Sequence, residues 1–233
     1  MVKAVFIDYM GTTVNEHSPE MAEIVRRICK NSSLHDPRQV QRFILDTRRR
    51  YEADSYLDTY LTEDKIVTRL ILDMEAQIEL REDPAVLRDL IHSHWINAPL
   101  FPDTQTFFDR CPVLIYIITN NGLPYMGQAL QRNGLKAAGV VSADAARAYK
   151  PRQEIFDEAL RFSGCTPDEV VHIGDSYDTD VVGAQAAEIR PVLLLRGCVQ
   201  QHVDVEAADG LEQVLELVFK RPAKKSQEEI SKI

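Results

Sequence analysis

The 233-residue chain has no apolar run of membrane-spanning length, no closely spaced cysteines and no excess of positive charge. Each absence removes a class of function. A bilayer-crossing helix needs about 20 mostly apolar residues. The first apolar run is broken at Asp8 and has neither the length nor the cleavage pattern of a secretory signal. The four cysteines, Cys29, Cys111, Cys165 and Cys198, lie far apart and show neither a CxxC pair nor metal-finger spacing. They read as free thiols in a reducing, cytoplasmic compartment. Lys and Arg total 27 against 36 Asp and Glu, and the resulting formal charge of −9 opposes broad attraction to nucleic acid or anionic membrane. Neither is expected as a partner, and small molecules become the expected substrates. The sequence leaves monomer and homodimer equally open.

What the chain does have is a change of period part-way along. Residues 3–7 form a short, nearly continuous apolar run with β-branched and aromatic side chains, which predicts a buried strand ending at Asp8. Ser18-Pro19, Asp36-Pro37 and Asp83-Pro84 are helix-start signals, each a capping side chain followed by proline at the first helical position. Met21, Ile24, Val25 and Ile28 mark one apolar helical face, and Ile66, Val67, Leu70, Ile71 and Met74 mark another. Residues 16–98 therefore read as an all-helical insertion. Beyond Pro102, strand candidates at 113–118, 139–142, 170–173 and 191–195 alternate with helix candidates at 124–133, 152–162 and 180–188. That alternation predicts an α/β fold, a parallel sheet with helices on both faces. The expected division is a core of residues 1–15 and 99–219, a helical cap of 16–98 and a disordered, charge-rich tail of 220–233.

Chemistry-bearing residues recur at the predicted strand ends, where an open parallel sheet places its ligands. Asp8 is followed by Gly11-Thr12-Thr13, Thr119 by Asn120-Asn121-Gly122, and Gly174 by Asp175 and Asp180, while Lys150 precedes Pro151. A carboxylate at a sheet's mouth can attack phosphorus or carbon if a cation offsets its repulsion from an anionic substrate. Asp175 and Asp180 offer the hard oxygen ligands that suit Mg²⁺. The Thr119 hydroxyl, nearby N–H groups and the Lys150 ammonium are placed to neutralise phosphoryl oxygens.

This ordered set resembles the four motifs of the haloacid dehalogenase superfamily, here Asp8-Tyr9-Met10-Gly11-Thr12-Thr13, Thr119-Asn120-Asn121, Lys150-Pro151, and Gly174-Asp175 through Asp180. The resemblance covers residues 3 to about 195. It implies a Rossmann-like core with a mobile helical cap inserted after the first motif. It also implies that Asp8 is the nucleophile, with Thr119 and Lys150 on the transferring group and Thr12, Asn120 and Asn121 around the substrate. Mg²⁺ would be held by Asp8, Asp175, Asp180 and the backbone carbonyl of Met10. The activity implied is Mg²⁺-dependent hydrolysis of a small phosphorylated metabolite through an aspartyl-phosphate.

One position departs from the pattern. The family's phosphatases resemble one another in a second aspartate two residues beyond the nucleophile, where this chain has Met10. A thioether exchanges no proton, so a general acid–base contribution of about 10²–10⁴ in rate is missing from that position. Glu16, His17 and Asp54 are the candidates to replace it. Alternative readings are dehalogenase-like chemistry, phosphonoacetaldehyde-hydrolase-like chemistry using Lys30 or Lys65, and an impaired member that binds phosphorylated ligands or proteins. His92 and His94, two apart, point to different sides of a helix and make no natural metal pair. Arg48, Arg49 and Arg50 read first as a solvated face and second as anion steering.

Overall fold

The structure is a computed structural model that describes residues 1–199 and 204–219. The expected tail of 220–233 lies outside the described residues. Six strands form one all-parallel sheet in the order β3-β2-β1-β4-β5-β6. They are β1 (Ala4–Ile7), β2 (Leu114–Thr119), β3 (Gly139–Ser142), β4 (Val170–Gly174), β5 (Arg190–Leu194) and β6 (Glu206–Ala208). β1, whose four residues are all buried, lies in the middle of the sheet between β2 and β4. Parallel strands covered on both faces favour continuous apolar runs, which is the pattern of β1, β2 and β4. Two apolar clusters, one on each side of the sheet, bury Val5, Ile7, Ile117 and Ile173 on one face and Phe6, Ile118, Phe156 and Val170 on the other.

Between β1 and β2 come four long helices, α1 (Pro19–Asn31), α2 (Pro37–Asp54), α3 (Glu63–Ile78) and α4 (Pro84–Asn97), then the short α5 (Thr104–Arg110). Ser18, Asp36 and Asp83 cap α1, α2 and α4 through their side chains, each with proline in the first turn. These caps satisfy backbone donors that would otherwise be left open at the helix start. The four helices share their own apolar cluster, including Ile24, Ile28, Leu70, Met74, Leu87 and Trp95. After β2 follow α6 (Leu123–Asn133), α7 (Ala143–Ala146), α8 (Gln153–Ser163), α9 (Val182–Ala186) and α10 (Leu211–Phe219). β6, α5 and α10 extend the pattern expected from the sequence. The helix expected over 180–188 is shorter, because residues Tyr177–Val181 form one wide turn before α9 starts.

Candidate active site

Because the sheet is parallel, Asp8, Thr119, Lys150 and Asp175 arrive at one edge although up to 167 residues separate them, counting from Asp8 to Asp175. Asp8 follows β1 and is 6% exposed. Its N–H donates to the Ile173 carbonyl at 2.9 Å, and its carbonyl accepts from the Thr13 hydroxyl at 2.6 Å, so β4 on one side and the following turn on the other fix its backbone. Oxygens of Asp8, Asp175 and Asp180 all lie within 4.8 Å of one another.

Lys150 sits between two of these carboxylates. Its Nζ donates to Asp8 Oδ1 at 2.5 Å and to Asp180 Oδ1 at 2.6 Å. His172, fully buried on β4, reaches Asp180 Oδ1 through Nε2 at 3.0 Å. Burial pushes Asp8 up, against the pull of Lys150, to about 7. Asp175 is also raised, by burial and then by the charges of Asp8 and Asp180. Asp180 goes the other way: burial opposes ionisation, but Lys150 and His172 outweigh it and hold the carboxylate charged. Lys150 stays protonated despite its burial because Asp180 and Asp8 both face it. His172 is held neutral by burial, which outweighs the pull of Asp180. Two carboxylates thus share one ammonium while a third, Asp175, stands beside them without a lysine, and three clustered carboxylate oxygens are the kind of ligand a hard divalent cation takes.

Two glycines make room for the acids. A Cβ on Gly11, whose φ is +85°, would lie 2.5 Å from Asp175 Oδ2, and one on Gly174 would lie 2.2 Å from Asp180 Cγ. The remaining predicted site residues have defined partners. Thr12 is fully buried; its hydroxyl donates to Asp175 Oδ1 at 2.8 Å and accepts from the Asp175 N–H at 3.0 Å. The Asn120 side chain accepts from the Lys150 N–H at 2.8 Å, fixing the backbone that presents the ammonium. Thr119 donates through its hydroxyl to Asn121 Oδ1 at 3.1 Å, and Asn121 Nδ2 donates to Glu63 Oε1 at 3.1 Å. In this arrangement Thr12, Asn120 and Asn121 orient neighbouring groups, while Asp8, Thr119 and Lys150 line the same cavity as Asp175 and Asp180. Met10 also lines it.

That cavity measures about 180 Å³ and its other wall comes from the inserted helices. Arg48, Arg49 and Glu52 reach it from α2, Glu63 from the first turn of α3, and Glu16 from the segment before α1. Glu63 crosses to the core, accepting from the Gly122 N–H at 2.6 Å as well as from Asn121, and burial raises its carboxyl to about 8. Glu52 is buried with its carboxyl raised by burial, and faces Arg48 Nε at 3.1 Å. Neither acid stood out in the sequence, because an isolated Glu on an amphipathic helix looks like any solvated one until the tertiary contact is known. The helical start at Glu63 was the single available signal.

Other candidates fall elsewhere. His17 lines an adjoining cavity instead of this one, while Asp54, Lys30 and Lys65 line neither. His92 pairs with Asp64 and lies against Tyr125, and His94 pairs with Ser18, so the two do not converge. All four cysteines are free thiols. Among the described residues no helix is long and apolar enough to cross a membrane.

A family profile described as haloacid dehalogenase-like hydrolase matches residues 2–188, which takes in every strand from β1 to β4 and all the site residues above. The chain belongs to that family. It is a hydrolase, with the Rossmann-like α/β core and inserted helices described here. The chain is 28% identical over 229 residues to haloacid dehalogenase-like hydrolase domain-containing protein 2 of Bos taurus, covering 84% of this chain and 85% of that protein. A shorter stretch of 87 residues is 33% identical to the glyceraldehyde 3-phosphate phosphatase of Methanothermobacter thermautotrophicus. That match spans 34% of this chain and only 38% of the phosphatase. Among solved structures, the L-2-haloacid dehalogenase of Xanthobacter autotrophicus superposes with a TM-score of 0.79 at 17% identity, over 95% of this chain and 100% of that one. At that identity the likeness is one of fold.

Proposed function

We propose that this hydrolase cleaves small phosphate monoesters, with Asp8 as the nucleophile and Mg²⁺ as the cofactor. The observation that carries the reading is the cluster of Asp8, Asp175 and Asp180 oxygens within 4.8 Å, two of which pair with Lys150. Two acids suffice to hold a structural lysine, and the third, Asp175, has its ionised form disfavoured by burial and by its acidic neighbours, a cost that a bound cation would offset. The donor set fits the ion: Asp8, Asp175 and Asp180, together with the Met10 carbonyl, are hard oxygen ligands that would hold it. When bound, Mg²⁺ supplies charge neutralisation between the nucleophile and an anionic phosphoryl group.

The chain's own groups do the rest. Asp8 attacks phosphorus from the end of β1, where β4 and the Thr13 hydroxyl hold its backbone against recoil. Lys150 keeps its ammonium beside the reacting carboxylate, and Thr119 presents a hydroxyl at the neighbouring strand end. Thr12 orients Asp175, and Asn120 orients Lys150. The two arginines on the α2 wall favour an anion in the enclosed space, and its volume favours a small one. The partial match to a glyceraldehyde 3-phosphate phosphatase agrees in chemistry. Phosphonoacetaldehyde-like chemistry loses ground because neither Lys30 nor Lys65 lines the cavity.

A phosphate-release assay over a panel of phosphomonoesters, with and without Mg²⁺, tests the proposal. Release that requires Mg²⁺ and disappears in Asp8→Asn is the expected result. No release by the native chain, with activity appearing only in Met10→Asp, would reject it in favour of specialised chemistry or a ligand-binding role.

A further inference from the structure

The loss of an acid at position 10 raises the question of which group handles the leaving-group proton. A second cavity of about 240 Å³ adjoins the first and is walled largely by apolar side chains, among them Met21, Ile44 and Trp95. Four residues line both cavities: Met10, Glu16, Leu45 and Arg48. If the phosphoryl group lies against Asp8, the organic half of a substrate extends into the second space, and the bond that breaks lies at the junction between them. A proton delivered to the leaving oxygen must therefore come from a junction residue.

Only one of the four can deliver it. Met10 and Leu45 have no exchangeable proton, and an arginine does not give one up at any working pH. The other cavity acids are committed elsewhere. Glu63 spends its two oxygens on Asn121 and Gly122, Glu52 is paired with Arg48, Asp8 and Asp180 hold Lys150, and Asp175 accepts from the Thr12 hydroxyl. The Glu16 carboxylate has no hydrogen bond or ion pair among the described residues. Arg48, His94 and Asp175 are the charged or titratable groups that feel its charge. Glu16 lies in the short segment between the Val14 bridge and α1, where the chain passes from the core into the inserted helices.

We infer that Glu16 is the general acid and base of this enzyme, standing in for the carboxylate that Met10 replaces. The inference rests on the phosphatase reading above. In the first step Asp8 Oδ bonds to phosphorus, the bond from phosphorus to the ester oxygen breaks, and the protonated Glu16 gives its proton to that oxygen as the alcohol leaves. In the second step the Glu16 carboxylate takes a proton from water as its oxygen bonds to phosphorus. The bond from phosphorus to Asp8 then breaks, releasing phosphate and restoring the Asp8 carboxylate. Met10 in turn serves as apolar wall for the departing alcohol.

The test compares esters that differ in their need for that proton. An alkyl phosphate requires protonation of its leaving oxygen, while p-nitrophenol departs as an anion. In Glu16→Gln, kcat/KM for primary alkyl phosphates is expected to fall by about 10²–10³-fold, and for p-nitrophenyl phosphate by less than about tenfold. The same variant should show a burst of nitrophenolate followed by slow turnover, because the second step lacks its base. Equal losses on both esters, or no loss on either, would overturn the assignment. Glu16 is exposed, so the substitution leaves packing intact. If the unaltered chain releases phosphate from neither ester with Mg²⁺ present, the phosphatase reading fails and takes this inference with it. An active chain with an unaffected Glu16→Gln rejects the inference alone.

Discussion

At the scale of single residues, the site is a problem in placing like charges close together. Lys150 is buried with its ammonium between Asp8 and Asp180, and such a lysine is tolerated only because two partners surround it. Removing it while leaving the acids in place exposes their mutual repulsion. Lys150→Met should therefore cost about 3–5 kcal/mol of stability, read from urea midpoints, as well as activity. A loss below about 1 kcal/mol would mean the acids are hydrated despite their burial. Glycine 174 solves the steric half of the same problem. Asp180 is held by Lys150 and His172, so it cannot withdraw from a Cβ that would come within 2.2 Å of its Cγ. Gly174→Ala should destabilise by about 1–3 kcal/mol, the usual cost of forcing atoms into a filled space. A variant of native stability would show that β4 can shift to admit a methyl group.

Elements set which acids face each other, and α3 gives the clearest case. Its first residue, Glu63, leaves the apolar cluster of the inserted helices and docks on the Asn121-Gly122 turn of the core. Burial holds this carboxyl at about 8, whereas an unfolded glutamate titrates near 4.5. Over the window between those values the native chain keeps a proton that the unfolded chain has released. The native state thus binds more protons, and its stability falls as pH rises from about 4.5 to about 8, by up to about 1.4 kcal/mol per pH unit from this group. Asp8, raised to about 7, adds a slope of the same sign when Mg²⁺ is absent. Glu63→Gln keeps the shape and removes the titration, so its urea midpoint should vary less with pH across this window than that of the unaltered chain. An unchanged slope would place the proton elsewhere. The helix starts were readable beforehand, since Ser18, Asp36 and Asp83 each precede proline and each caps through its side chain. The docking of Glu63 was not readable, because a helix's own period reports which face is apolar and carries no information about what a polar first turn will meet across a cavity.

For the whole molecule, the legible part of the site is the part that the sheet dictates. Asp8, Thr119 and Asp175 each end an apolar run, and a parallel sheet brings the carboxyl ends of its strands to one edge whatever their separation in sequence. His172 was hidden inside such a run, where it reads as an interruption, and β6 was hidden because Glu206–Ala208 has three residues and no β-branched side chain. The excess of acids over lysine at that edge links the site to global stability. Like-charged carboxylates brought together by the strands oppose folding, and a cation that binds them only when folded offsets that cost. Mg²⁺ should therefore raise the melting temperature. At a hundred times its dissociation constant the gain is about 2.7 kcal/mol, equivalent to about 5–10 °C for a chain of this size. Asp175→Asn removes one ligand and one unit of repulsion together. It should be at least as stable as the unaltered chain without Mg²⁺ and gain little from adding it. A calorimetric titration of both proteins separates the effects. If Mg²⁺ shifts them equally, the ion acts elsewhere on the acidic surface, and the edge of the sheet is held by Lys150 alone.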